Sequence, residues 1–199
     1  VSVGLDIGFS SIKLVALVRE NQLFKLVSLG SIPAPQPGML SDADVDLEAV
    51  ASAIKTLLSA THVEGKQVVA ALPESKVFTR VIDDFPFLTD NELSSAIRYA
   101  AEEFIPMPLN DVNLNWQVLA RSDAKSKDTK TVVLVVATPK NAVAKYIKVL
   151  GMAGVRPKSL ETEIIAVTRS LVGNNPFSPA TLLVQLGATT TDFATVSKG

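Results

Sequence analysis

The sequence predicts an α/β fold in which one domain, built from both ends of the chain, is interrupted by a smaller α+β unit. Two observations support this prediction. Apolar runs of strand length alternate with stretches whose apolar residues recur at helical spacing. A hairpin pattern centred on a glycine occurs at residues 5–15 and again at residues 182–196, but not in residues 74–157. We therefore expect the two ends of the chain to pack together.

The first 73 residues predict four strands, a proline-rich loop and one helix. Strands are expected over residues 1–8, 12–19, 24–32 and 67–72, where apolar runs have strand length. The loop at 32–39 holds three prolines and a glycine, which interrupt both kinds of element. Asp46 is the expected N-cap of the helix. The apolar residues that follow it share one helical face: Leu47, Val50, Ile54, Leu57 and Leu58.

The middle of the chain predicts a strand, a helix, two strands and a second helix. Thr89 and Glu92 have the spacing of a capping box, and Gly154 is typical of a helix C-terminus. Charged residues at 125–130 predict a solvated loop. The expected elements are strands over 77–85, 112–121 and 131–138 and helices over 89–104 and 141–152.

The last part of the chain predicts a helix, a loop and the second hairpin. The helix is expected over residues 160–173, and the loop over residues 174–180. The apolar residues expected to point inward from this helix are Ile164, Val167, Leu171 and Val172.

The composition argues against several classes of function. With 20 acidic and 19 basic residues, the chain lacks the basic excess that nucleic acids and anionic membranes require. It has no cysteine and one histidine, His62, so thiolate or multi-histidine metal sites and Ser-His-Asp catalysis are not expected. No apolar run approaches the ~18 residues that cross a bilayer, and no secretory leader is recognised. We expect a cytoplasmic protein without direct membrane insertion.

The two hairpins match when they are aligned on Gly8 and Gly187. Ser10 and Ser11 then correspond to Thr189 and Thr190. Tight turns expose backbone N–H groups, glycine permits close approach, and hydroxyls add uncharged donors, so the pattern predicts a phosphate cradle. An ordinary hairpin turn is the alternative interpretation of either copy alone.

Two charged residues of the first hairpin extend this hypothesis. Lys13 is a candidate to neutralise phosphate charge, and Asp6 is a candidate to hold a hydrated Mg²⁺ ion through water. In the second hairpin, Gln185 stands at the position of Asp6, and Asp192 at that of Lys13. The pattern is neither a Walker A loop nor a dinucleotide fingerprint.

The hairpins resemble the two phosphate motifs of the actin, Hsp70 and sugar-kinase superfamily, on DIGFSS at 6–11 and LGATTTDFATV at 186–196. The chain between them resembles more narrowly the PilM family, the actin-like, FtsA-related cytoplasmic proteins of type IV pilus assembly. This narrower resemblance is carried by residues 72–86, 92–119 and 133–171.

The resemblance implies an actin-like, ribonuclease H-like architecture. Residues 1–73 and 158–199 would form a discontinuous subdomain 1A with the phosphate hairpins, and residues 74–157 an inserted α+β subdomain 1C. The second half of the family fold, subdomains 2A and 2B with the adenosine site, would be absent from this chain. Binding of ATP and Mg²⁺ is therefore expected of a full-length protein and weak or absent here.

The resemblance also implies an activity and a partner. Glu163 matches the glutamate that orients the attacking water in related actin-like proteins, with a favourable helix N-terminus as its alternative role. Many relatives have an aspartate at Gln185, and glutamine is a poor Mg²⁺ ligand, so we expect at most slow ATP turnover. PilM-like proteins bind the cytoplasmic N-terminal segment of PilN, which would recruit the chain to the inner-membrane platform of twitching motility.

Three functions remain open at this point. The first is an ATP-binding scaffold that contacts PilN and other platform proteins, with Phe85, Phe87 and Trp116 as aromatic contact candidates or core residues. The second is a nucleotide-independent adaptor of a pilus or type II secretion system. The third is a small-molecule kinase, which would need a carboxylate base, with the adjacent acids Asp83 and Asp84 as candidates.

Overall fold

A computed structural model describes residues 1–21, 23–121, 130–172 and 179–197. Most of the predicted loops at 125–130 and 174–180 lies outside the described residues. The strands are β1 Ser2–Ile7, β2 Ser11–Glu20, β3 Leu23–Pro33, β4 Gln67–Leu72, β5 Phe78–Phe85, β6 Val112–Arg121, β7 Thr131–Pro139, β8 Arg156–Thr162, β9 Thr181–Leu186 and β10 Thr191–Val196. The helices are α1 Asp44–Ala60, α2 Asp90–Glu102, α3 Lys140–Met152 and α4 Glu163–Leu171.

The chain forms two compact units, of which the first combines Val1–Glu74 with Lys145–Gly199 and the second is Ser75–Ala144. The first unit contains a five-stranded sheet in the order β3-β2-β1-β4-β8. Its strands β3, β2 and β1 are antiparallel neighbours, whereas β1, β4 and β8 run parallel. The strands β9 and β10 pair only with each other within the described residues. The subdomain assignment by resemblance stays a prediction.

The core of the first unit lies between the sheet and α1. Alternate residues of β2 are fully buried, and α1 covers β3 at Gly30, where Leu57 and Thr61 approach the backbone closely. The predicted apolar face of α1 is confirmed except at Leu58, which is only half-buried. The buried side chains of this core include Ile12, Leu14, Leu47, Val50, Ile54 and Leu57.

The second unit packs α2 against a three-stranded antiparallel sheet in the order β5-β7-β6. The predicted capping box is confirmed, because the Thr89 amide donates to Glu92 Oε2 at 2.9 Å and the Glu92 amide donates to Thr89 Oγ1 at 3.5 Å. The strand predicted over residues 131–138 is also confirmed as β7, and alternate residues of this strand are buried. The centre of this core is formed by Phe85, Leu93, Ile97, Val133 and Val135.

Two helix starts differ from the predictions. The N-cap of α1 is Ala43, and Asp46 lies inside the first turn, where its charge still favours the helix dipole. The helix expected from residue 160 begins at Glu163, because residues 156–162 pair with β4 as a parallel strand that the sequence did not reveal. The helix then ends at Leu171, whose side chain is 72% exposed, so its predicted inward position was wrong.

Three other observations bear on the predicted functions. Among the described helices, none has the length and apolar composition that crossing a membrane requires. His62 is exposed in a turn after α1. Asp83 and Asp84, the paired acids, are exposed at an irregularity of the β5–β7 pairing.

Replacing glycine by alanine should have opposite effects at two positions. A Cβ atom at Gly30 would lie 2.6 Å from Thr61 Cγ2 and 2.8 Å from Leu57 Cδ1, so Gly30→Ala should destabilise the fold by about 1–3 kcal/mol. Gly151 lies inside α3 with nothing within 4 Å of its Cβ position, so Gly151→Ala should stabilise by about 0.5–1 kcal/mol. Urea unfolding of both variants would measure the difference, and equal effects would contradict the packing of α1 on β3.

Candidate functional site

The two glycine hairpins have the same turn geometry. The Gly8 amide donates to the Ser11 carbonyl at 3.0 Å, and the Gly187 amide donates to the Thr190 carbonyl at 2.8 Å. Beyond the turns, the cross-strand partners are Asp6 with Lys13 in the first hairpin and Gln185 with Asp192 in the second. The alignment made on the sequence is therefore confirmed at the level of strand register.

Each turn requires its glycine for a reason that does not involve a ligand. A Cβ atom at Gly8 would lie 2.9 Å from the Ser11 carbonyl oxygen, and one at Gly187 would lie 2.9 Å from the Thr190 carbonyl oxygen. Real Cβ atoms do not approach backbone oxygen so closely, and here the oxygen is the one that closes the turn. Both glycines are thus needed to form the hairpins themselves.

The hydroxyl groups of both turns remain available as donors. Within the described residues, the hydroxyls of Ser10, Ser11, Thr189 and Thr190 have no hydrogen-bond partner, and all but the half-buried Ser11 are exposed. The tip of the first turn is held instead through its carbonyls. The Ala34 amide donates to the Ser10 carbonyl at 3.0 Å, and Gln36 Nε2 donates to the Phe9 carbonyl at 2.6 Å.

The two predicted charged residues of the first hairpin form an ion pair with each other. Lys13 Nζ lies 3.0 Å from Asp6 Oδ2, and both side chains are substantially exposed. Lys13 and Asp6 therefore share one face of the sheet. Exposed pairs of this kind contribute about 0–1 kcal/mol, so another ligand of either group could displace the partner.

Glu163 connects α4 with the second hairpin. It is the first residue of α4, whose N-cap Thr162 accepts a hydrogen bond from the Ile165 amide at 3.3 Å. Gln185 Nε2 donates to Glu163 Oε2 at 2.7 Å. The other amide atom, Gln185 Oε1, is buried and has no hydrogen-bond partner in the described part of the chain.

Glu163 also lies within the electrostatic reach of both hairpins. Burial raises the pKa of Glu163, the charge of Asp6 raises it further, and the hydrogen bond from Gln185 opposes this shift. The charges of Asp192 and Glu74 add to the increase in this pKa. The site therefore brings together carboxylates from β1, β10 and the end of β4 around Glu163.

The sequence reasoning missed two residues of this site. Glu74 follows Pro73 at the end of β4, and burial raises its pKa, although hydrogen bonds from the Ile164 amide and Thr162 oppose the shift. A carboxylate just beyond the end of a buried strand was the signal that could have found it. Tyr146 of α3 is buried, and burial followed by the charges of Glu163 and Asp6 raises its pKa; no sequence signal distinguishes it from a core tyrosine.

The described residues contain no group of three or more side chains arranged to hold a metal ion. The site thus offers hydroxyl donors on two matched turns, one lysine, and a set of carboxylates that repel each other. This combination suits an anionic ligand that arrives with its own cation, because the hydroxyls receive the anion and the carboxylates favour the cation.

Comparisons with known proteins show which proteins the chain is similar to. The family profile described as type IV pilus assembly protein PilM matches residues 4–199. A solved structure of a PilM–PilN type IV pilus biogenesis complex matches with a TM-score of 0.83 and 29% identity, over 99% of this chain and 58% of that chain. The cytoplasmic domain of EpsL, an inner-membrane component of the type II secretion system of Vibrio cholerae, matches with a TM-score of 0.57 and 16% identity, over 98% of this chain and 70% of that one.

These matches confirm the predicted actin-like α/β fold class. The chain spans 58% of the length of the PilM chain in the complex, so the comparison concerns about half of that protein.

Glu163→Gln should raise the thermal stability near neutral pH and leave it unchanged in acid. The folded chain holds the Glu163 proton more tightly than the unfolded chain does, because the folded-state pKa lies above the ordinary value of 4.5. Stability is therefore lost as the pH rises above that value, and a neutral glutamine avoids this loss. Melting curves of wild type and variant between about pH 4 and pH 8 test the expectation.

The matched control is Glu161→Gln, which changes an acid that accepts a hydrogen bond from Arg169 Nη1 at 2.7 Å. This control should gain no stability at neutral pH. A melting temperature of Glu163→Gln below that of wild type at pH 8 would contradict the raised pKa.

Proposed function

Since the chain belongs to the family of type IV pilus assembly protein PilM, we propose that it acts as an ATP-binding, actin-like scaffold in the inner-membrane assembly platform of the pilus. The observation that supports nucleotide binding is the pair of hairpins with equal turns, equal register and free hydroxyls. One such turn is common in proteins, whereas two matched copies near a shared carboxylate support the proposal of a binding site.

The residues present fit a phosphate chain. Ser10, Ser11, Thr189 and Thr190 would donate to phosphate oxygens, and Lys13 would exchange its ion pair with Asp6 for the phosphate charge. Asp6, released from Lys13, would hold hydrated Mg²⁺ through water, since this ion keeps most of its waters in proteins. The bound cation would also offset the repulsion among the carboxylates around Glu163.

Glu163 would orient the attacking water during ATP hydrolysis. Bound ATP with its Mg²⁺ supplies the γ-phosphoryl group and much of the charge stabilisation that phosphoryl transfer needs. The protein contributes the position of the carboxylate, which Gln185 holds at 2.7 Å. Gln185 stands at a position where an acidic side chain could help to hold the metal ion. Because glutamine is neutral and this one already hydrogen-bonds to Glu163, we expect ATP turnover to be slow.

The proposed partner is the cytoplasmic N-terminal segment of PilN, because the PilM chain of the matching structure was solved in a complex with PilN. Such a partner would bring a cytoplasmic protein to the inner membrane. Closure around ATP would then favour one partner-binding conformation over another, which requires binding but not rapid hydrolysis. The exposed aromatic residues Trp116 and Phe87 are candidate contacts, whereas Phe85 is buried in the core.

A nucleotide-independent adaptor is the second candidate function. The neutral Gln185 favours it, since its amide offers Mg²⁺ only one neutral oxygen and already binds Glu163. The ion pair of Lys13 with Asp6 also stabilises the ligand-free arrangement. In this case the hairpins would serve only the fold.

We expect that replacing Ser10, Ser11, Thr189 and Thr190 together by alanine abolishes stabilisation by ATP. The protein tested should be as long as the members of its family. Unmutated protein should gain about 2.7 kcal/mol at a Mg-ATP concentration of 100 times Kd, because ligand binds only the folded state. Melting temperatures with and without Mg-ATP measure the effect. A control with alanine at Ser52 and Thr56, two exposed residues of α1, should keep the full shift.

The same four-alanine variant separates the two candidate functions. If it still binds the PilN segment and still supports pilus assembly, the adaptor is the correct function. If the unmutated protein shows no shift even at high Mg-ATP, the nucleotide-binding proposal is wrong.

Trp116→Ala should weaken binding of a synthetic PilN N-terminal peptide by about 2 kcal/mol, as is typical of an aromatic hot spot. Trp116 is 39% exposed on the edge strand β6, so its removal should not open the core. The matched control is Tyr99→Ala on α2, which changes a side chain that is 73% exposed. Isothermal titration calorimetry measures both, and equal affinities of the two variants would exclude Trp116 as a contact.

A further inference from the structure

Glu74 makes a contact that none of the predicted site residues makes. It follows β4 and Pro73, and its Oε1 accepts a hydrogen bond from the Ile164 amide at 3.1 Å. Thr162 also hydrogen-bonds to the Glu74 carboxylate. One side chain from the end of β4 thus joins the end of β8 to the start of α4.

This contact completes the cap of α4. The first amides of a helix have no partner inside the helix, and here two side chains satisfy two of them. Thr162 accepts from the Ile165 amide at 3.3 Å, and Glu74 accepts from the Ile164 amide. Glu163 is the residue immediately before these two amides, so the orientation of its side chain depends on the turn that they fix.

The cap has an electrostatic cost that a purely structural cap would avoid. Glu74 is half-buried, its negative charge adds to the increase in the pKa of Glu163, and the charge of Asp192 raises the pKa of Glu74 itself. A serine or asparagine can cap a helix without adding a like charge. A charged cap at this point is therefore a candidate for a role in the site beside it.

We propose that Glu74 is the positioning residue of this site: by holding the first turn of α4 through the Ile164 amide, it keeps Glu163 in place against Gln185. Glu74 acts through Glu163, and the consequence for turnover rests on the proposed ATPase role of Glu163. Its consequence for the hydrogen bond between Glu163 and Gln185 holds with or without a nucleotide.

The test compares three variants of Glu74 by NMR of the Gln185 side-chain amide in the ligand-free chain. Glu74→Gln keeps an oxygen that can accept from the Ile164 amide, so it should preserve the hydrogen-bonded Gln185 signal. Glu74→Ala removes the acceptor, and Glu74→Asp has a shorter side chain that no longer reaches the Ile164 amide. Both variants should therefore move the Gln185 signal towards that of a glutamine in solvent. Glu74→Asp keeps the carboxylate, so it replaces Glu74→Ala in this test if the alanine variant does not fold.

The second part of the test measures steady-state ATP hydrolysis by a protein as long as the members of its family. Glu74→Ala should lower kcat by about 10- to 100-fold with little change in the Kd for Mg-ATP, and Glu74→Gln should restore most of the rate. The control Glu161→Ala removes a neighbouring acid that contacts Arg169 and none of these amides, and it should change neither the rate nor the Gln185 signal.

The two arms distinguish the possible failures. If unmutated protein neither binds nor hydrolyses ATP, the proposed function fails, and the NMR arm still tests the positioning role. A Gln185 signal that is unchanged in folded Glu74→Ala or Glu74→Asp would overturn the role of Glu74. So would a Glu74→Gln variant that loses the signal as completely as Glu74→Asp does.

Discussion

The parallel pairing of β1, β4 and β8 is the constraint on which the site depends. Parallel strands end at the same edge of a sheet, and each of these three strands carries an acid at or just beyond its carboxyl end. These acids are Asp6, Glu74 and Glu163. Each is distant from the other two along the chain, so the sheet alone brings the three carboxylates together.

The second hairpin supplies a side chain that reduces the electrostatic repulsion within this cluster of carboxylates. Gln185 donates to Glu163 and so stabilises its ionised form, whereas an aspartate at this position would add another like charge. The first hairpin places Lys13 beside Asp6, and this ion pair offsets part of the negative charge. The two hairpins thus share a backbone geometry but use different side chains to limit the repulsion between carboxylates.

Much of the fold followed from local patterns. Apolar alternation and capping chemistry predicted β1, β2, α2 and β7, since these depend on neighbours along the chain. The strand β8 was missed because Pro157 and the acids before α4 weaken its local signal. Its strand conformation comes from pairing with β4, a partner that is remote in sequence.

The sequence by itself determined the two glycine turns, their hydroxyls and the correspondence between their positions. Those features depend on local steric limits, such as the 2.9 Å that separates a Cβ atom at Gly8 from the Ser11 oxygen. Only the tertiary structure decided that Lys13 pairs with Asp6, that Gln185 binds Glu163, and that Glu74 caps α4. Such contacts join residues of different elements, and electrostatic interactions depend on distances in space, which no pattern of spacing along the chain specifies.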